Sequence, residues 1–298
     1  MKPIIVIAGT TASGKSDLAL QLAKEIGGYI INADSRQIYK EFKIATAQPT
    51  PDKIKKDGTW IIDGIEHFLY GFVSIKSDYN IFKFQNDVKK LLKKKEKDNL
   101  YPILVGGTGL YIDSIVYNYQ LVEGVTKQQK EKREQLSKLS VQQLQELAKE
   151  KYLNAFNQLN NSDRYNPRRL IRLIENQKLN QNKGESLNHK YFILDIDEET
   201  LEKNIRERIE RMFEKGIIDE AKVIYDDYNN DSTELTNAIN IIGFKELIPY
   251  FKGQNTLQEV KEEIFLHTRQ YAKRQKTWFK RNNEAVYIKN LQEILKVI

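Results

Sequence analysis

The stretch Gly9-Thr10-Thr11-Ala12-Ser13-Gly14-Lys15-Ser16 decides the fold, and it directly follows the apolar run Ile4-Ile5-Val6-Ile7-Ala8. Its pattern is G-x-x-x-x-G-K-[S/T], and a helical pattern continues from it to about residue 26. A strand, a loop and a helix in this order are what a phosphate-binding loop requires. The loop N–H groups face an anion, Lys15 brings a charge to the terminal phosphate, and the Ser16 hydroxyl is a candidate Mg²⁺ ligand. We predict a di- or triphosphate site here; the alternative is an ordinary glycine-rich strand–helix turn.

Length and composition set the first limits. With 298 residues the chain is long for one hydrophobic core, which predicts either a large domain with an insertion or two domains. Lys and Arg number 48 against 41 Asp and Glu, and the net charge of +7 favours an anionic partner. The absence of Cys excludes disulfides and thiolate zinc sites. Met1-Lys2-Pro3 leads directly into the first strand and no apolar run reaches membrane-spanning length, so we expect a cytoplasmic protein without signal peptide or membrane segment.

Two further turns follow predicted strands. Residues 29–33 form a strand pattern that ends at Asp34-Ser35-Arg36-Gln37-Ile38-Tyr39, and residues 102–105 form another that ends at Gly106-Gly107-Thr108-Gly109-Leu110-Tyr111. Since the carboxyl ends of strands in an α/β sheet face the ligand crevice, Asp34 is expected beside the phosphate loop. The glycine turn allows close approach of the backbone to a ligand, and the Thr108 hydroxyl is a candidate hydrogen-bond donor there. A helix N-cap is an equal alternative for Asp34. A plain strand–helix turn explains the glycines as well, although it does not explain Thr108.

The composition changes between residues 116 and 188, where Gln, Lys and Asn dominate. We predict a helical insertion there, into an α/β core whose two parts are residues 1–115 and 189–298. The helical patterns within it cover residues 127–139, 141–152 and 166–175. Pro167 suits the first turn of the third helix. Arg168, Arg169 and Arg172 oppose the helix dipole at that end, which an anionic partner would explain.

The C-terminal part predicts two basic helices. One begins near residue 198, and its Arg206, Arg208 and Arg211 project from different faces, so that at least one points at the crevice. A last helix over residues 268–281 holds six basic residues and no acidic one. One face of it carries Tyr271, Arg274, Trp278 and Arg281, and a roughly opposite face carries Arg269, Lys273, Lys276 and Lys280. We favour a helix that contacts nucleic acid and phosphate. The alternative is a solvent-exposed surface helix whose arginine side chains pack their aliphatic parts along it.

Taken in order, these motifs resemble those of the bacterial tRNA dimethylallyltransferase family. The resemblance runs from the first strand nearly to the end of the chain. Besides the phosphate loop and the two turns, it rests on Ala45-Thr46-Ala47-Gln48-Pro49, Arg169-Leu170-Ile171-Arg172, Met212 with Gly216, Ile242-Gly243-Phe244-Lys245, and Ala272-Lys273-Arg274-Gln275-Lys276-Thr277-Trp278-Phe279. It implies a P-loop-containing parallel-sheet core with a helical insertion. It also implies a monomer that transfers a dimethylallyl group from dimethylallyl diphosphate to the exocyclic N6 of the adenosine 3′-adjacent to the tRNA anticodon.

The resemblance implies roles for individual residues. Asp34 would be the general base, Thr108 would hydrogen bond the bridging oxygen of the donor, and Arg208 would clamp the diphosphate. The diphosphate would lie on Gly9, Thr10, Thr11, Ala12, Ser13, Gly14, Lys15 and Ser16, with Mg²⁺ on Ser16. The tRNA would contact Asp34, Ser35, Arg36, Gln37, Thr108, Arg133, Arg168, Arg169, Leu170, Ile171, Arg172, Asn240, Ile241, Ile242, Gly243, Phe244, Lys245, Arg274, Gln275 and Trp278. The target base would leave its stack to reach the crevice.

The chain departs from the family pattern at four positions. The family usually has proline at Thr10, lysine at Gln48 and arginine at Asn204 and at Asn240. The lost arginines leave Arg208 with more of the diphosphate binding, and the additional Arg168 and Arg206 are expected to compensate. There is no C-terminal extension with zinc-ligand spacing, which fits the bacterial form.

Three other functions share parts of this pattern. A P-loop kinase of a nucleotide or metabolite has the same loop, but it gives no account of the insertion and the basic last helix. A prenyltransferase acting on free AMP, ADP or ATP needs no Arg168–Arg172 segment. A non-catalytic RNA-binding module with a vestigial nucleotide site needs no Asp34.

Overall fold

The computed structural model describes residues 2–121, 127–176, 183–230 and 240–298. The chain divides into two compact units. The core unit comprises Met1–Tyr117 and Ser186–Ile298, and the insertion unit comprises Asn118–Glu185.

The core unit is organised around one mixed sheet. The described residues contribute eight strands to it: β1 (Ile4–Gly9), β2 (Gly28–Asn32), β3 (Lys53–Ile54), β4 (Trp60–Ile62), β5 (Ile65–Phe68), β6 (Tyr101–Gly106), β7 (His189–Leu194) and β8 (Val286–Ile288). Their order is β3-β4-β5-β2-β6-β1-β7-β8. The strands from β5 to β8 in this order pair in parallel, and β3 and β4 pair antiparallel at one edge. The turns after β1, β2 and β6 therefore lie side by side at one end of the sheet.

Helices cover the sheet and close its core. Those of the core unit are α1 (Lys15–Ile26), α2 (Ile81–Lys94), α3 (Gly109–Val116), and then, after the insertion, α8 (Glu198–Glu214), α9 (Ile217–Asn230), α10 (Leu247–Phe251), α11 (Leu257–Phe279) and α12 (Leu291–Leu295). A short 3₁₀ helix, Glu96–Asp98, follows α2. Buried residues of α1, α12 and the central strands form one apolar cluster. Those of α8 to α11 form a second with Phe42 and Val73.

The insertion unit is helical. It contains α4 (Lys127–Ser137), α5 (Val141–Asn157), α6 (Asn161–Arg164) and α7 (Pro167–Asn176). Its apolar cluster joins Leu144, Phe156, Leu170 and Leu173. Pro167 opens α7 as expected, because a proline at the first helical position lacks only an N–H that would have no partner in the helix. The polar segment 176–188, whose composition predicts a surface loop, lies partly outside the described residues.

The predicted α/β class with a parallel core is confirmed, and two local expectations are wrong. The basic helix begins at Leu257, well before residue 268, because Thr256 and Glu259 form a capping box ahead of the buried Val260 and Ile264. It is also not the last helix, since α12 follows it. No helix begins directly after Asp34, so the helix N-cap alternative for that residue is wrong. No described helix is long and apolar enough to cross a membrane.

Candidate active site

The loop between β1 and α1 is shaped to receive an anion. Ala12 and Gly14 have φ of 59° and 86°, in the left-handed region, which turns the chain sharply before α1. Gly14 occupies the N-cap position, where no side chain caps the helix, so the first-turn N–H groups lack an acceptor within α1. Within the described residues, the buried hydroxyls of Thr10 and Ser13 have no hydrogen-bond partner. Unpartnered buried donors around a helix N-terminus are what a phosphate group satisfies.

Three charges converge beside this loop. Burial lowers the pKa of Lys15 to about 8, and the nearby Asp34 carboxylate and Arg208 guanidinium act on it in opposite directions. Burial likewise lowers the pKa of Arg208, against the opposing effect of Asp34. The Lys15 ammonium is anchored by a 3.0 Å hydrogen bond to the Thr10 carbonyl. Two desolvated cations and one carboxylate therefore interact at the ends of β1 and β2, and α8 supplies the second cation.

Asp34 is held in a turn through one of its two carboxylate oxygens. Its Oδ1 accepts the Arg36 N–H at 2.9 Å, and its own N–H bonds Oδ1 of the fully buried Asn32 at 2.9 Å. Asn32 also donates to the Leu69 carbonyl at 2.9 Å, which fixes the Asn32 side chain. The capping alternative for Asp34 is thus replaced by an Asx-type turn, because the chain continues as a bend.

Thr108 lies at the end of β6, against this turn. Its hydroxyl accepts the Ser35 N–H at 3.0 Å and donates to the Ser35 hydroxyl at 3.2 Å. The pKa of the nearby Tyr271 phenol is raised, chiefly by burial and then by the Asp34 carboxylate, and the neighbouring Thr108 opposes that rise. A Cβ on Gly106 would come within 2.3 Å of the Ala33 backbone, so this close approach of the two strand ends requires glycine.

Helix α8 contacts the phosphate loop through two side chains. Arg208 donates to the Thr11 hydroxyl at 3.0 Å. Asn204, one turn earlier, donates to the Ala12 carbonyl at 3.0 Å and so supports the left-handed residue of the loop. Asn204 was noted in the sequence only as a departure from the family pattern; no local signal predicts this contact. The predicted compensation by Arg206 is wrong, because Arg206 pairs with Glu262 at 3.0 Å and stacks on Phe265.

Several residues of α11 that were expected to contact RNA or phosphate make contacts within the protein. Gln275 is 4% exposed and bonds the Thr11 N–H and the Gly107 carbonyl, so it joins two loops within the protein. Trp278 donates to Asp113 at 2.8 Å and covers Gly109. Arg269 on the other face pairs with α8, through Glu198 at 3.1 Å and Glu202 at 2.6 Å. Of the predicted RNA-contacting residues of this helix, Arg274 is exposed and stacks on Tyr271.

In the other core-unit segments near the predicted tRNA contacts, side chains hold the backbone in place through hydrogen bonds. Gln37 donates to the carbonyls of Thr46 and Ala47, each at 3.0 Å. The half-buried Glu220 accepts the N–H groups of Ile44 and Ala45. In the segment 240–245, Gly243 donates its N–H to buried Glu246 at 2.7 Å. Ile241 and Phe244 are core residues, whereas Asn240 and Lys245 are exposed and Ile242 is half-buried.

The insertion unit gathers arginines on one part of its surface. Partial burial, and then the Arg133 and Arg169 guanidinium groups, lower the pKa of Arg172. Arg133 forms a bidentate pair with Glu175, and Arg169 lies 3.7 Å from Asp163. Arg168 is exposed at the start of α7. Leu170 and Ile171 are buried in the unit's apolar cluster, so they support the arginines and present no side-chain surface to RNA.

Magnesium can be tested against the residues present. Among the described residues no group of three His, Cys, Asp or Glu side chains could hold a metal. The exposed Ser16 hydroxyl stands in the first turn of α1 beside Lys15, next to the unpartnered donors of the loop. Since Mg²⁺ is bound through few protein groups together with substrate phosphates and water, this single hydroxyl fits a metal that arrives with a diphosphate.

Comparison with known proteins decides the family. A sequence model described as IPP transferase matches residues 37–282. The chain belongs to the IPP transferase family. It is 36% identical over 294 residues to a tRNA dimethylallyltransferase of Staphylococcus aureus (strain MRSA252), covering 93% of this chain and 89% of the relative. A tRNA dimethylallyltransferase of Caldicellulosiruptor saccharolyticus is 34% identical over 301 residues, covering 96% and 92%.

A solved structure agrees with this family assignment. The full-length tRNA isopentenylpyrophosphate transferase from Bacillus halodurans matches with a TM-score of 0.69 and 28% identity, over 100% of this chain and 94% of that one. The family predicted from the sequence is confirmed, and with it the enzyme class, a prenyltransferase that modifies tRNA.

Tyr271 is another residue near the site that the sequence prediction omitted, although a signal was present. It shares a helix face with Arg274 and Trp278 at spacings of 3 and 4 residues. In the structure the charges of Asp34 and Arg36 both act on the pKa of its phenol. The spacing therefore placed Tyr271 on a face with Arg274 and Trp278, but it did not indicate which face of α11 turns toward Asp34.

Proposed function

We propose that this IPP transferase family member transfers a dimethylallyl group from dimethylallyl diphosphate to the N6 amine of the adenosine 3′-adjacent to the anticodon in tRNA, releasing diphosphate. The supporting observation is that Asp34 acts electrostatically on both Lys15 and Arg208 beside the phosphate loop. The reaction needs a base for the amine and cations for the leaving group, and these residues supply both. The phosphate loop then holds a leaving group instead of a nucleoside triphosphate.

In the proposed reaction Asp34 accepts the proton of the adenine amine, and the phosphate loop retains the departing diphosphate. The adenine nitrogen attacks the allylic carbon, the carbon–oxygen bond to the diphosphate breaks, and Asp34 takes a proton from the amine. Lys15 and Arg208 stabilise the charge that develops on the departing diphosphate. Thr108, at the end of β6, hydrogen bonds the bridging oxygen. Burial raises the pKa of the nearby Tyr271 phenol above its ordinary value, which is already well above neutral pH, so this group stays a neutral phenol.

Residues of the phosphate loop would hold the metal with the donor. We propose that the Ser16 hydroxyl ligates Mg²⁺ and that the diphosphate oxygens and water complete its coordination. When bound, the ion supplies further charge stabilisation for the leaving diphosphate. The N–H groups of the first turn of α1 and the hydroxyls of Thr10 and Ser13 orient the same diphosphate.

The proposed tRNA surface has an arginine-rich part on the insertion unit. The pKa of Arg172 is lowered by partial burial and then by the neighbouring Arg133 and Arg169, so these cations repel one another in the free protein. A phosphate backbone would relieve that repulsion, and its charge supplies affinity without sequence preference. On the core unit we propose that Arg36, Lys245 and Arg274 contact RNA. We also propose that one monomer acts on one tRNA, in the cytoplasm.

A paired assay tests the proposed function. The enzyme and Mg²⁺ are given dimethylallyl diphosphate or ATP, with a stem-loop RNA or AMP as acceptor, and products are separated by liquid chromatography. We expect prenylated RNA alone, and no product when guanosine replaces the adenosine next to the anticodon. Phosphoryl transfer from ATP would instead indicate the kinase, and faster prenylation of AMP would indicate the free-nucleotide enzyme.

A further inference from the structure

Gln275 connects the two loops that meet at the proposed reaction centre. Its Oε1 accepts the Thr11 N–H at 2.8 Å, and its Nε2 donates to the Gly107 carbonyl at 2.8 Å. The side chain is 4% exposed, so both bonds are shielded from water. One amide, delivered from α11, thus satisfies a donor of the phosphate loop and an acceptor of the loop that carries Thr108.

The loops are built around this amide. A Cβ on Gly107 would lie 2.1 Å from Gln275 Nε2, so the glycine makes room for the bridge. Thr11 receives Arg208 at its hydroxyl while its N–H is committed to Gln275. Thr108, the next residue after Gly107, holds Ser35 and hence the turn of Asp34. A continuous series of contacts therefore runs from Arg208 through Gln275 to the residue before Thr108.

We propose that Gln275 is a positioning residue that sets the spacing between the diphosphate-holding loop and the Thr108 loop. It acts through these two backbone contacts and does not touch RNA. The inference rests on the proposed function, since it assigns the diphosphate of the prenyl donor to the first loop and its bridging oxygen to Thr108 in the second. A transfer reaction is sensitive to this spacing, because small misplacements of the reacting groups reduce the rate strongly.

Two substitutions separate the two contacts. Gln275→Met keeps the length of the side chain and loses both hydrogen bonds. Gln275→Glu keeps an acceptor for the Thr11 N–H but sets a carboxylate against the Gly107 carbonyl and near the diphosphate. Gln270→Glu, at an exposed position of the same helix, is the matched control for the added charge.

The measurement is single-turnover transfer to a stem-loop RNA, with donor KM and RNA Kd determined separately. We expect both Gln275 variants to lose about 10- to 100-fold in the transfer rate, as the loss of a buried hydrogen bond implies. We expect the Kd for RNA to stay within about twofold and the donor KM to rise more for Glu than for Met. Gln270→Glu should match the wild type.

A second substitution reaches the same contact from the other loop. Gly107→Ala should reduce the transfer rate by displacing Gln275, and combining it with Gln275→Ala should cost less than the sum of the two single losses. Melting temperatures of all variants separate folding defects from misplacement.

The alternative outcomes are distinct. Weakened RNA binding with an unchanged transfer rate would make Gln275 an RNA contact and overturn the inference, as would wild-type kinetics in the Met and Glu variants. If wild-type protein transfers no prenyl group at all, the proposed function fails instead, independently of Gln275.

Discussion

The Thr108 hydroxyl accepts the Ser35 N–H at 3.0 Å, and this bond ties the turn that carries Asp34 to the loop after β6. The two turns belong to adjacent parallel strands, so their polar groups meet at the same edge of the sheet. The bond fixes the Asp34 carboxylate relative to the Thr108 hydroxyl, which is proposed to face the bridging oxygen of dimethylallyl diphosphate. The acceptor side and the leaving-group side of the reaction are therefore positioned by one contact.

Replacing Asp34 tests the proposed base. Asp34→Asn retains an oxygen for the Arg36 N–H, so the turn is preserved, but it removes the group that accepts the proton. We expect the transfer rate to fall by about 10²- to 10⁴-fold, the usual contribution of general base catalysis, with RNA affinity within threefold of the wild type. Quench-flow assays measure the rate, and Asp227→Asn, at an exposed position of α9, is the control. A rate within threefold of the wild type would exclude Asp34 as the base.

Thr108 is tested by removing its hydroxyl while keeping its shape. Thr108→Val leaves the Ser35 N–H without its acceptor and removes the proposed donor to the bridging oxygen. We expect a loss of about 10- to 100-fold in kcat, and recovery of most of it in Thr108→Ser. Thr277→Val on α11 removes an exposed hydroxyl and serves as the control. Equal activity of the Val and Ser variants would show that the hydroxyl has no role in transfer.

Donor binding should depend on pH through Lys15. Burial lowers the pKa of Lys15 to about 8 in the free protein, so the ammonium loses its proton as the pH rises through that value. Since the diphosphate binds the charged form, the donor Kd should be constant well below pH 8 and rise up to about tenfold per unit above it. Calorimetry or fluorescence titration with dimethylallyl diphosphate measures this. Lys15→Arg stays charged and should bind without that rise; a flat wild-type profile up to pH 9.5 would contradict the prediction.

The arginines of the insertion unit are expected to act through charge. Arg168→Gln should raise the Kd for a stem-loop RNA and reduce the slope of log Kd against log salt concentration by about 0.7 to 0.9 if one phosphate contact is lost. Donor KM should not change. Lys151→Gln removes an exposed charge from α5 of the same unit and is the matched control. The same loss of affinity in both variants would indicate a general effect of net charge instead of a contact at Arg168.

The parts of the site that are local in sequence could be predicted from it. The phosphate loop, Asp34 and Thr108 each follow a strand directly, and parallel pairing brings strand ends together whatever the rest of the fold does. The start of α11 was also readable, since Thr256 and Glu259 have the spacing of a capping box. So was the hairpin of β4 and β5, where Asp63-Gly64 is a common two-residue turn with both residues at positive φ.

The long-range contacts could not be predicted in the same way. Gln275 meets Thr11 across 264 positions of the chain, and Asn204 meets Ala12 across 192. Which face of α8 and α11 turns toward the phosphate loop depends on the packing of the second apolar cluster, not on the pattern of either helix alone. For the same reason Arg206 and Arg269 looked available to an anion in the sequence, but in the structure they pair with acidic residues of the neighbouring helix.

The central claim is prenyl transfer to one adenosine of tRNA. The direct measurement is mass spectrometry of a stem-loop RNA after incubation with the enzyme, Mg²⁺ and dimethylallyl diphosphate, followed by nuclease digestion to locate the change. The account predicts the mass gain of one dimethylallyl group on the adenosine that follows the anticodon, and no gain with Asp34→Asn at the same early time. An unmodified RNA, or a modification at another nucleotide, would contradict it.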